Sequence, residues 1–204
     1  SHLLLAALAV PLALGLAACS KSGGDQKAAL TGEPVKAVAP PAGKAWTDVV
    51  VKTPEGGYLM GNPNAPIKLV EYGSLSCPHC AHLAQQGFQK LMSNYVSTGK
   101  VSFEFRSFAI HPQDVPLTVL ASCGSVEAFI PLAEQLYANF DAVSASTQAG
   151  AKQAEAAMAL PENQRFVVFA DATGFTDFFA ARGISKDQAH ACLADFSKAS
   201  AVAR

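Results

Sequence analysis

Ile67-Lys68-Leu69-Val70-Glu71-Tyr72, followed by Cys77-Pro78-His79-Cys80 and then by the helical-looking stretch from Ala81 to Val96, is the succession that decides the fold. The first run is dense enough in apolar side chains to predict a central strand. Phe88, Leu91, Met92 and Tyr95 recur at helical spacing and predict a single apolar face, with Gly99 as a stop. Beyond it Val101, Phe103 and Phe105 alternate with Ser102, Glu104 and Arg106, the pattern of a half-buried strand. Strand, helix and strand in this order predict a βαβ unit with parallel strands and a right-handed crossover.

Upstream, Asp48 to Lys52 is a short β-branched run, Tyr58 to Met60 follows the turn signal Gly56-Gly57, and Gly61 to Pro66 reads as a loop. Downstream of His111-Pro112 the texture changes. From Val115 to Arg204 no alternating strand is visible, only alanine-rich, helically periodic pieces divided by Gly124, Pro131, Pro161, Gly174 and Gly183. This half is predicted to be a helical subdomain. Ser185 with Gln188 reads as a capping box opening the last helix, which carries Cys192. No internal repeat is present.

Half of the 204 residues are apolar, enough for one domain with a sizeable core. The formal charge is -1 and no basic run is interleaved with aromatics, which argues against a nucleic-acid partner. Residues 1–18 are almost wholly Leu, Ala, Val and Gly from Leu3 onward and are predicted to be an export signal, not part of the fold. Leu16-Ala17-Ala18-Cys19 resembles the lipobox of bacterial lipoproteins, in which the cysteine after the cut carries lipid. The alternative is an ordinary secretory signal with a stray cysteine, although Leu16 stands where ordinary cleavage prefers a small side chain. A charged start and an initiator methionine are missing, so this end is expected to be trimmed. Residues 19–45 are rich in Gly, Pro, Ala, Lys and Ser and cannot bury enough surface to offset their ordering entropy. They are predicted to tether a folded part, residues 46–204, to a membrane surface.

Setting Cys19 aside leaves Cys77, Cys80, Cys123 and Cys192, in a compartment where disulfides persist. Three pairings are possible. The one-turn spacing favours Cys77 with Cys80, which leaves Cys123 with Cys192 as a structural staple or, alternatively, as two unpaired buried cysteines. A dithiol exchanges disulfides when one sulfur is a reachable thiolate and the other stands close enough to resolve the mixed disulfide. Cys77, at a helix N-terminus whose first N–H groups lack partners, is the candidate nucleophile, and Cys80 the candidate resolving thiol. His79 can donate a hydrogen bond or a charge to Cys77, and Pro78 presets the first helical dihedral. An exposed, idle imidazole is the plainer reading of His79, and His82 and His111 are weaker candidates. Glu71 would be costly if charged and dry. It either exchanges protons with Cys80 or ends a strand in water. A zinc site would need further ligands, and no second Cys-x-x-Cys or paired histidines follow.

Glu71-Tyr72-Gly73-Ser74-Leu75-Ser76-Cys77-Pro78-His79-Cys80 resembles the active-site strand and helix start of DsbA-type thiol-disulfide oxidoreductases. The dipeptide Pro78-His79 is the one typical of oxidising members. Gly61-Asn62-Pro63-Asn64-Ala65-Pro66, and Phe105-Arg106 with His111-Pro112, are similar to the lipoprotein and alphaproteobacterial branches. The likeness spans about Asp48 to Ala194. It implies an α/β, thioredoxin-like βαβ core (residues 46–112) with a large inserted helical subdomain (113–204), and no cofactor beyond a redox-active Cys77–Cys80 disulfide. It further implies reduced exported proteins as clients and a quinone-linked, DsbB-like membrane oxidase as recharging partner. Family members return from the insertion through a cis-proline loop, two strands and a helix. The last proline here is Pro161, so those elements are expected beyond Arg204, and Val115-Pro116 is not assigned that role. A same-fold reductase or isomerase, and a non-catalytic client- or metal-binding lipoprotein, are the rival readings.

Overall fold

In the computed structural model, which describes residues 33–202, the alternating runs form one sheet of four strands. These are β1 (Val50–Lys52), β2 (Tyr58–Gly61), β3 (Ile67–Gly73) and β4 (Val101–Ser107), in the order β1-β2-β4-β3. β3 and β4 are parallel, with Ile67 opposite Val101 and Gly73 opposite Ser107, and β2 runs antiparallel to both β1 and β4. The βαβ unit and the α/β class are therefore as the alternation and spacing predict. The predicted signal at residues 1–18 and Cys19 lie outside the described residues.

Two strand expectations are corrected. Among the described residues β3 is the terminal strand of the sheet, not a central one, and Ile67 and Leu69 are 48% and 44% exposed. Apolar density reports what a strand's faces meet and is silent on which neighbours it pairs with. β4 is an inner strand, as is β2, and its residues Val101–Phe105 are buried on both faces, not half-buried. Its polar side tolerates burial because Glu104 accepts hydrogen bonds from Thr53 Oγ1 (2.7 Å) and Arg106 Nε (2.8 Å).

The crossover is α1 (Pro78–Leu83), a π-helical turn (Ala84–Phe88) and α2 (Gln89–Asn94). Phe88 meets Phe103 edge to face and Met92 is buried, as the spacing predicts. Tyr95 departs from that face and is 53% exposed, because it falls at the helix C-terminus with φ -127° and ψ -56°, where helical spacing no longer holds. Part of the segment predicted to be a tether lies among the described residues. Val38 N donates to Thr98 O (3.0 Å) and Trp46 Nε1 donates to Val38 O (2.7 Å), so the chain lies on the domain from Val38 onward.

The remaining helices are α3 (Asp114–Ala121), α4 (Phe129–Ala138), α5 (Phe140–Ala157), α6 (Glu162–Ala172), α7 (Phe175–Ala180), α8 (Lys186–Ala194) and α9 (Phe196–Val202). The Phe129 ring on α4 stacks on Tyr58 (3.7 Å) and tilts against Phe105 (5.5 Å), which fastens this half to the sheet. At Gly150 a Cβ would collide with Ala172 O, so α5 and α6 approach closely only because that side chain is absent. Ser185 Oγ caps α8 by accepting from Gln188 N (3.3 Å). The capping box is only half formed, since the Gln188 amide donates instead to Cys123 O (2.9 Å). Nor is α8 the last helix: Asp195 turns extended and accepts from Ser197 N (3.1 Å), restarting the helix as α9.

Cys123, just after α3, is disulfide-bonded to Cys192 in α8 across a sequence separation of 69. Closing so long a loop restricts the unfolded chain. Replacing both cysteines by serine is expected to lower the unfolding free energy by about 2–4 kcal/mol. An unchanged denaturant midpoint would show that the bridge adds nothing.

Candidate active site

Gly73 ends β3, and the turn Ser74-Leu75-Ser76 closes when Cys77 N donates to Ser74 O (3.2 Å). Cys77, extended at φ -88° and ψ 122°, is the N-cap of α1, and Pro78 follows where a helix needs no N–H. Ala81 N donating to Cys77 O (3.0 Å) is the first helical bond, so the N–H groups of His79 and Cys80 remain free at the end where Cys77 sits. Cys77 and Cys80 are both half-buried free thiols. Burial pushes the Cys80 thiol up; a backbone hydrogen bond at Ser74 opposes this, and the Cys77 sulfur and the charge of Glu71 add to it. Pro78 and His79 are exposed, and among the described residues the His79 ring has no hydrogen-bond partner.

Glu71, two residues before the end of β3, is half-buried. Its Oε1 is buried without a hydrogen-bond partner, and burial raises its carboxyl above the usual range. Cys77, Cys80 and Glu71 are thus brought together, with His79 beside them along the chain. The Cys123–Cys192 bridge belongs to the helical half. Among the described residues no group of three or more His, Cys, Asp or Glu side chains is placed to hold a metal ion.

The site contains residues that sequence reasoning missed. Asp114, fully buried, accepts from Ser74 Oγ (2.9 Å), Ser76 N (2.9 Å), Ile110 N (2.9 Å) and His111 N (2.9 Å). It locks the turn that delivers Cys77 to the segment leading into α3. His111 joins the same cluster, its Nδ1 lying 2.9 Å from Ser76 Oγ. Tyr137 on α4 donates from its hydroxyl to Ser74 O (3.0 Å), and Gln85 Nε2 donates to Tyr137 O (2.7 Å), so α4 is tied to both the turn and the crossover. A signal for Asp114 existed: a carboxylate opening a mostly apolar helix, two residues after Pro112.

Residues 53–203 match the model of a family described as thioredoxin. A Rickettsia prowazekii protein whose name assigns it provisionally to the protein-disulfide oxidoreductases is 35% identical over 85 residues, 41% of this chain and 31% of the relative. Disulfide bond formation protein D of Bacillus subtilis is 31% identical over 68 residues, 33% of this chain and 31% of that protein. The matched segments therefore span less than a third of these relatives. Among solved structures, a protein-disulfide isomerase from Novosphingobium aromaticivorans superposes with a TM-score of 0.67 at 27% identity, covering 72% of this chain and 76% of that one. Alpha-DsbA1 of Wolbachia pipientis shares the fold, with a TM-score of 0.54 at 22% identity over 71% of this chain and 63% of that one.

Asp114→Ala leaves three backbone N–H groups without their acceptor and is expected to destabilise the protein by about 2–4 kcal/mol in denaturant unfolding. Asp114→Asn, which keeps one oxygen, should lose clearly less. Equal losses would mean that the carboxylate acts only as a filler of space.

Proposed function

Since the chain belongs to the thioredoxin family, we propose that it is a protein thiol-disulfide oxidoreductase that donates the Cys77–Cys80 disulfide to exported proteins. The observation that carries this reading is the placing of the two sulfurs across the first turn of α1, directly after a strand, with Cys77 as the cap. A client thiolate attacks Cys77 Sγ of the oxidised pair. The Cys77–Cys80 bond breaks, a client–Cys77 disulfide forms, and Cys80 leaves with the electron pair and takes up a proton. The client's second thiolate attacks its own sulfur in that mixed disulfide, releasing Cys77 as a thiolate. The client has lost two electrons and the chain has gained them. Where the second thiolate fails to arrive, Cys80 attacks Cys77 and expels the client unchanged.

The division of labour has physical support: burial makes Cys80 a sulfur that readily keeps a proton once it has left, and Cys77 is the one at the open end of the helix. The apolar run Leu3 to Ala18 and the lipobox-like Leu16-Ala17-Ala18-Cys19 support a periplasmic enzyme anchored to a membrane by lipid. A DsbB-like membrane oxidase would return the dithiol to the disulfide. A second reading, disulfide isomerase, is favoured by the likeness to the Novosphingobium aromaticivorans protein-disulfide isomerase.

Equilibration of the full chain with glutathione buffers, with alkylation and mass analysis, tests the direction. The oxidase reading predicts a potential near that typical of DsbA, about -120 mV. A value near that of thioredoxin, about -270 mV, would contradict it.

A further inference from the structure

We propose that Tyr137, brought in by α4, is a positioning residue for the dithiol: by holding the Ser74 carbonyl it keeps Cys77 in place at the start of α1 once the disulfide is open, and so makes the Cys77–Cys80 pair more oxidising. The inference rests on the thiol-exchange reading above and adds a residue of the helical half that sets its direction. Ser74 O accepts from two donors, Cys77 N (3.2 Å) within the turn and the Tyr137 hydroxyl (3.0 Å) from α4. One carbonyl thus joins the reactive cysteine to the helical half. Tyr137 is held at its other end as well, since its own carbonyl accepts from Gln85 Nε2 (2.7 Å) on the π-helical turn that continues α1. The residue is buried, and Phe129 on the same helix is stacked on Tyr58 of the sheet. The phenol therefore cannot swing away without breaking one of these contacts. Burial first, then the charges of neighbouring acids, push that phenol above its ordinary range, so the hydroxyl keeps its proton and stays a donor.

The two redox forms depend on this hydrogen bond to different degrees. In the oxidised form the bond to Cys80 itself fixes the Cys77 sulfur against the first turn of α1. In the reduced form, which the structure shows, that link is gone. What then keeps Cys77 next to the free N–H groups of His79 and Cys80 is the turn Ser74-Leu75-Ser76, through the bond from Cys77 N to Ser74 O. A contact that stiffens the turn therefore stabilises the dithiol more than the disulfide, and a disulfide whose reduced form is stabilised is the stronger oxidant. Asp114 grips the same turn through Ser74 Oγ and Ser76 N. Tyr137 differs in reaching the acceptor that Cys77 itself uses.

The test is the equilibrium of the full chain with glutathione, read at the Cys77–Cys80 pair by alkylation and mass analysis. Two glutathione thiols pass two electrons and two protons to the pair, giving one glutathione disulfide and the open dithiol. In Tyr137→Phe, which keeps the ring and removes the donor, the equilibrium constant for reduction is expected to fall about threefold, a potential about 14 mV more negative. Tyr137→p-aminophenylalanine, which puts a donor back on the same ring, should restore it. Ser146→Ala removes a bond of the same kind within the helical half, Ser146 Oγ to Thr173 O (2.7 Å), and should leave the constant unchanged. An unchanged constant in Tyr137→Phe, no recovery with the amino group, or an equal fall in Ser146→Ala would overturn the proposal. If the wild type passes no disulfide to a reduced protein, the functional reading fails separately, and the glutathione equilibrium still decides the role of Tyr137.

Discussion

A helix that begins directly after a strand must find partners for its first N–H groups, and the placing of Cys77 at that start is the constraint around which this molecule is arranged. Pro78 removes one donor and fixes the first dihedral, while the turn Ser74-Leu75-Ser76 sets the angle of entry. That turn would be a weak point if left to itself. Asp114 prevents this by accepting hydrogen bonds from both Ser74 and Ser76 while also gathering Ile110 and His111. A buried carboxylate with all its acceptor capacity used is stiff, because any motion of the loop breaks several charge-assisted bonds at once. The reactive cysteine thus stands on a rigid loop, not on a flexible one.

The helical half packs against the sheet and the active-site turn. Phe129 stacked on Tyr58 holds α4 against the sheet, and the Tyr137 hydroxyl on Ser74 O brings the same helix over the active-site turn. Glu71 and Cys80 are both half-buried, and burial raises both acids. The Cys123–Cys192 bridge, by linking the end of α3 to α8, holds the helical half together.

Much of this was legible in the residues. The Cys77 to Cys80 spacing, the parallel βαβ unit and the strand-free helical half followed from local pattern, because each depends on neighbours in the chain. What escaped depended on contacts distant in sequence. The apolar content of Ile67 to Tyr72 could not disclose that β3 pairs on one side only among the described residues. Gln188 satisfied the pattern of a capping box, yet its amide found Cys123 O instead. Asp114 and Tyr137 carry no motif of their own, and their role exists only because a loop and a helix fold back onto Ser74. Glu71 was visible as an oddity, and that its Oε1 is buried without a partner emerges only from the folded packing.

Trapping of client proteins by the Cys80→Ala variant tests the central claim most directly, since it asks whether Cys77 is the sulfur that clients meet first. With the resolving thiol removed, mixed disulfides should accumulate in cells and dissolve on reduction, and replacing Cys77 as well should abolish them. Adducts that persist without Cys77, or none with Cys80→Ala in a folded chain, would contradict the account.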